Sequence, residues 1–270
     1  MQHRLPLTGT LVLVMPTVSG LVVAADRRTF DPIRGDTDST IKIVTANQTA
    51  VFTTGVASWA DAHSFRTVFD ATDVAANYIR EGKIRGALIP NLQDLTQRVR
   101  DGYSKHLLSI PRKFWPQDGE LFQLGIVQYD ETDGSLRLFL CLYEYKQEYQ
   151  GESPFFEWTV KGFRYNGDLK FGMPLAFGNT SVFTELMRGK DARFDVCRRD
   201  PKIAPYMNLR KQLSLAEVSN DQAVACCRQL IKISSDKLSL VDHSDHHISP
   251  TCDVAFVGST GFKWLYRDRE

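Results

Sequence analysis

The apolar residues near the start of the chain come in short unbroken bursts. Leu11-Val12-Leu13-Val14-Met15 is followed by the turn-forming stretch Pro16-Thr17-Val18-Ser19-Gly20, and then by Leu21-Val22-Val23-Ala24-Ala25. Bursts of this length, bounded by turn residues, predict buried strands. Strands are predicted over 11–15 and 21–26, with two more over 41–45 and 49–55. Apolar positions then shift to helical spacing at Phe65, Val68, Phe69, Val74, Ala75 and Tyr78, which predicts a helical region over about Ala57–Glu81. A second helix is predicted over about Asn91–Leu108, starting just after Pro90. Strand-like segments follow over Leu121–Tyr129 and Leu136–Tyr145, joined at Asp133-Gly134. Two more cover Phe155–Tyr165 and Leu169–Gly178, joined at Asn166-Gly167. Both joints are hairpin turn signals. Helices are predicted over Ser181–Arg188 and about Ser214–Ser234, and strands over Cys252–Val257 and Phe262–Tyr266. Blocks of strands alternating with blocks of helices give an α+β fold.

Chemistry enters with three residues in fixed register. Thr10 follows Gly9 at the head of the first strand, Asp26 ends the second, and Lys42 lies in the third run, each sixteen residues after the last. A threonine becomes a nucleophile when a base lies beside it, and a freed N-terminal amine is one such base. Cutting between Gly9 and Thr10 would release that amine. Taken singly, each residue has a plainer reading. Lys42 between Ile41 and Ile43 is commonly an edge-strand lysine facing solvent, and Asp26 before Arg27-Arg28 is commonly a turn carboxylate. The same region also has features of a secretory signal, with a basic head at Met1–Arg4 and small residues at Val23-Ala24-Ala25. The interruption at Pro16, Thr17, Ser19 and Gly20 suits a hairpin better than one signal helix.

Gly9-Thr10-Leu11, Gly20-Leu21-Val22-Val23-Ala24-Ala25-Asp26-Arg27-Arg28 and Ile41-Lys42-Ile43 together resemble the catalytic β-type subunits of the proteasome family, which are N-terminal-nucleophile hydrolases. The match runs without a gap from residue 9 to about residue 44, while about 85–175 aligns poorly. Within the family the chain looks most like the divergent bacterial homologues, such as the β-proteobacterial group. The resemblance implies a four-layer α-β-β-α sandwich, a propeptide over residues 1–9 and one peptidase domain over 10–270. It implies a threonine endopeptidase, with Thr10 as nucleophile and Asp26 holding a charged Lys42. Asp236 and Ser239 match an aspartate and a serine that surround the threonine amine, although Leu240-Val241 stands where the family has a glycine pair. Gly178-Asn179-Thr180 stands where the family has a Gly-Ser-Gly-type turn, so Asn179 replaces the serine. Gly55 is the expected oxyanion donor, with Thr53 or Thr54 shaping the substrate pocket. The implied partners are further copies of the chain in a ring, unfolded polypeptide substrates and an ATP-dependent unfoldase, with no cofactor. A catalytically silent ring subunit would have no reason to keep the Gly9-Thr10 junction, and a small-molecule amidase of the same superfamily would need a confined pocket and a smaller assembly.

Composition narrows the remaining classes. At 270 residues and 43% hydrophobic, the chain can bury a substantial core. A net charge of +1 gives no global case for nucleic acid or a membrane surface. Five cysteines without a CxxC pair fit free thiols in a reducing cytoplasm. Asp242-His243-Ser244-Asp245-His246-His247 has the residue types of a metal site, but is expected to be a solvated loop with no metal.

Overall fold

The first apolar burst lacks polar alternation because both of its faces are covered. In the computed structural model, which describes residues 4–7, 10–31, 35–37, 40–46, 49–61, 66–82, 88–130, 134–150, 153–164, 174–204, 218–242 and 248–267, every residue from Leu11 to Met15 is fully buried. The strands are β1 (Arg4–Leu7), β2 (Leu11–Pro16), β3 (Gly20–Asp26), β4 (Thr29–Asp31), β5 (Gly35–Thr37), β6 (Ile43–Ala46), β7 (Thr49–Gly55), β8 (Ser58–Asp61), β9 (Thr67–Asp70), β10 (Gly119–Asp130), β11 (Ser135–Gln150), β12 (Ser153–Arg164), β13 (Leu175–Gly178), β14 (Cys252–Gly258) and β15 (Gly261–Arg267). The helices are α1 (Ala71–Arg80), α2 (Leu88–Leu108), α3 (Ser181–Arg188), α4 (Asp195–Arg198) and α5 (Asn220–Lys237). The fold is mixed α+β with antiparallel sheets. One five-stranded sheet runs β13-β2-β3-β14-β15 and the other β12-β11-β10-β7-β6.

Strand periodicity sorts the core. Val12, Val14, Leu21 and Val23 share one cluster with Phe52 of β7 and Leu138 of β11, so residues of the two large sheets pack together. The alternate residues Leu11, Leu13, Met15 and Val22 cluster instead with Val182 and Leu186 of α3 and Leu230 and Ile231 of α5. Val51, Leu124, Ile126 and Tyr143 of the second sheet cluster with Ala75 and Ile79 of α1 and Val99 and Tyr103 of α2. Each fully buried Val, Leu or Ile contributes about 1.5–3 kcal/mol. A one-residue slip of β2 would exchange these two sets of partners, so register is strongly specified.

Several boundaries differ from the sequence expectation. Helix over Ala57–Glu81 is wrong for its first half. Ser58–Asp61 and Thr67–Asp70 are strands, and the helix begins at Ala71. Asp70 sets that start, because its carboxylate accepts the Thr72 N–H at 2.7 Å. Phe69, counted as helical, is on β9 with its ring 5.2 Å from Tyr103. Helix α2 starts before Pro90, not after it; the proline lies in the first turn, where its missing N–H is not needed. Helix α5 begins after Ser219, which forms a capping box with Gln222. The turn Asn166-Gly167 and residues 214–217 lie outside the described residues. Arg4–Leu7, expected within a propeptide, forms β1 and pairs antiparallel with Asp61–Ser58. None of the described helices is long and apolar enough to cross a membrane.

The α1 cap also gives a pH-dependent term. Burial pushes Asp70 up to about 6, with nearby Asp73 adding to the rise and its bonds to Thr72 opposing it. A carboxyl raised above its unfolded value contributes stability that is complete below about pH 4 and lost as pH rises through about 6. Asp70→Asn retains a good cap without the titration. Relative to wild type, its stability is expected to rise by about 1–2 kcal/mol between pH 4 and 7, a figure discounted for partial exposure. Denaturant unfolding at the two pH values checks this.

Candidate active site

The β2–β3 hairpin pairs Val12 with Ala25, which brings the start of β2 beside Asp26. The Asp26 carboxylate is completely buried. Its Oδ1 accepts the Leu11 N–H at 2.6 Å and Lys42 Nζ at 3.0 Å. Its Oδ2 accepts the Arg28 N–H at 3.0 Å and the Ser249 N–H at 3.2 Å. A charge this deep is tolerable only when paired and hydrogen-bonded, and here both oxygens are occupied. Lys42 is 8% exposed while its neighbour Ile41 is 46% exposed, so the lysine and not the isoleucine points inward. That is the reverse of an edge-strand lysine.

Thr10 is the next residue up from this pair. It is buried at 6% exposure, and its carbonyl accepts the Asn179 N–H at 2.9 Å. The approach depends on Gly178, which has φ +80°. A Cβ there would lie 2.2 Å from the Thr10 carbonyl oxygen and 3.1 Å from Thr54 Cβ. Gly178→Ala is therefore expected to cost more than about 2 kcal/mol through backbone strain and overpacking. It should also displace Thr10. A lowered denaturant midpoint is the expected result.

Thr10, Thr54, Gly55, Gly178, Asn179 and Asp242 line one cavity of about 470 Å³. Asn179 Nδ2 donates to Asp242 Oδ2 at 2.9 Å, and Asn179 Oδ1 accepts the Ser181 N–H at 3.4 Å. Gly55 ends β7 with φ +82°. The following N–H, of Val56, is taken by the Leu121 carbonyl at 2.8 Å.

The structure thus joins Asp26 to Lys42 and to the Leu11 N–H beside Thr10, and places Asn179, Thr54 and Gly55 around the same cavity as Thr10. Thr53 turns away, as strand alternation requires, and shares a hydrogen bond with Thr72 of α1 at 2.7 Å. Asp236 and Ser239 are exposed and do not line the cavity. Helix α5 runs on to Lys237 and a 3-10 turn covers Leu238–Leu240, so the chain reaches the cavity only at Asp242. Sequence reasoning missed Asp242. The missing glycine pair after Ser239 was the available signal that the register there was wrong.

Gly9 and residues 243–247 lie outside the described residues. Among the described residues no group of His, Cys, Asp and Glu is arranged to hold a metal. The five cysteines are free thiols, and burial pushes Cys141 up to about 11, so it stays protonated at neutral pH. No known protein-family model matches the chain, and no curated protein matches its sequence.

Proposed function

We propose that the chain is a threonine endopeptidase of the proteasome type whose nucleophile is Thr10, freed by cleavage after Gly9. The observation that carries this reading is the buried Asp26–Lys42 pair. Asp26 Oδ1 holds both the Lys42 ammonium and the N–H of the residue next to Thr10. A turn carboxylate and a surface lysine have no need of such burial. On this reading the two large sheets are the inner layers of a four-layer α-β-β-α sandwich of the N-terminal-nucleophile type. The three apolar clusters are consistent with that order.

Thr10 Oγ attacks the substrate carbonyl carbon while the freed Thr10 amine takes the hydroxyl proton. The C–N bond then breaks, the proton passes to the leaving amine, and an ester to Thr10 remains. Water attacks that ester and releases the carboxylate product and Thr10. The positive charge of Lys42 disfavours protonation of the amine and so keeps it neutral and able to accept a proton at working pH. Asp26 keeps Lys42 charged and in place. The Gly55 N–H is assigned to the developing oxyanion, and Thr54 to the wall of the substrate pocket. Asn179 keeps the role expected of it, and Asp242, its partner at the Thr10 end of the cavity, takes the role expected for Asp236 and Ser239. Further copies of the chain in a ring would enclose the site, admitting unfolded polypeptides delivered by an ATP-dependent unfoldase.

Hydrolysis of a short fluorogenic peptide tests the assignment. Processed wild-type protein is expected to release the fluorophore, and Asp242→Ala to lower kcat by about 10–100-fold with little change in KM. Full activity in Asp242→Ala would remove the Asn179–Asp242 pair from the mechanism, and an inactive processed wild type would contradict the peptidase reading.

A further inference from the structure

Among the described residues, strand β12 is the outer edge of the second large sheet, and it is twelve residues long. Such an edge offers a row of unpaired backbone N–H and C=O groups to another strand. Its two faces differ. Phe156, Trp158 and Val160 point to the α2 side, where they are only partly buried against the core cluster. Trp158 Nε1 donates to Ser104 Oγ of α2 at 2.8 Å, and the Phe156 ring lies 5.0 Å from Trp115. Glu157, Thr159 and Lys161 occupy the opposite face and are exposed.

The order of these residues is self-complementary about Thr159. If a second β12 runs antiparallel with Thr159 against Thr159, Glu157 faces Lys161 of the other copy, and the two-fold axis repeats the pair. On the α2 side the same register sets Trp158 against Val160 and Phe156 against Gly162. Open space surrounds the position that a Cβ would take at Gly162, so the phenyl ring has room. One register therefore satisfies charge on one face and extends the half-covered apolar row on the other. Within the subunit, Lys161 reaches Glu144 at 2.7 Å across to β11, and β11 also places Lys146 opposite Glu157, so charges alternate in sign across the join.

The other long outer edge has no such property. Strand β15 ends the first sheet and carries Lys263 and Arg267. Antiparallel self-pairing about Leu265 would set those two like charges against each other. The remaining outer strands, β6 and β13, have four residues each.

We propose that β12 is the docking surface for β12 of a second copy of this chain, joining two subunits through one continuous antiparallel sheet. The proposal does not depend on Thr10 being catalytic.

Sedimentation equilibrium on the full chain tests it with Glu157→Lys, Lys161→Glu and the double exchange. Either single reversal sets like charges against each other at both symmetry-related places. Each is expected to weaken association at this contact by at least about tenfold and to halve the particle mass at low micromolar protein. The double exchange should restore the wild-type mass. All three should keep a cooperative unfolding transition, with midpoints lowered only slightly by the altered neighbours Glu144 and Lys146 and by weaker association. A monomeric wild type, a mass indifferent to the single reversals, or a double exchange that fails to restore it would each overturn the proposal.

Discussion

Lys42→Ala is expected to lower peptide hydrolysis by more than about 10³-fold and to destabilise the protein by about 3 kcal/mol, the low end for breaking a buried ion pair. The low end applies because Asp26 keeps three backbone N–H donors after the lysine is gone. The stability loss alone would follow from any buried pair. The catalytic claim needs a variant that separates the two. Lys42→Arg keeps a cation for Asp26 but moves it, since the guanidinium is planar and larger than an ammonium. It is expected to recover most of the unfolding midpoint and little of the activity. If Lys42→Arg regained both together, Lys42 would be a structural counter-ion only. In a double-mutant cycle, Asp26→Asn with Lys42→Met should be less destabilised than the sum of the two single changes, because no buried charge is left unpaired.

Thr10→Ala is expected to abolish hydrolysis completely and to leave residues 1–9 attached, with a near-native unfolding midpoint. Its side chain is small, so the lost methyl and hydroxyl cost only about 1 kcal/mol. The backbone contact between the Thr10 carbonyl and the Asn179 N–H survives the change. Thr10→Ser retains an oxygen nucleophile and should process and turn over more slowly, not fall silent. Hydrolysis that persists in Thr10→Ala would place the nucleophile elsewhere.

What the sequence made legible was local. The Thr10–Asp26 hairpin could be read because both of its strands are buried on both faces and leave unbroken apolar runs. The Asp26–Lys42 contact was legible as register, although nothing in Ile41-Lys42-Ile43 itself distinguishes an inward lysine from an outward one. What failed depended on distant partners. Residues 57–70 carry a helix-like spacing, yet Ser58–Asp61 and Thr67–Asp70 become strands because β8 pairs with β1 and β9, and because Asp70 holds the helix start at Ala71. Thr53 and Thr54 were equivalent in sequence, and only the pleat decides that Thr54 faces the cavity. Asp236 and Ser239 have a fitting spacing on the wrong turn. The C-terminal end of α5, which no glycine cap in the sequence marks, carries them past the site and leaves Asp242 beside Asn179.

On the proposed mechanism Thr10 works through its own freed amine. Freeing it requires cleavage after Gly9, which severs β1, paired with β8, from the rest of the chain. Intact mass with N-terminal sequencing of an active preparation tests this most directly. A chain that begins at Thr10 is the expected result. A preparation that hydrolyses peptide while its chain still begins at Met1, or one that begins at Asp26, would contradict it.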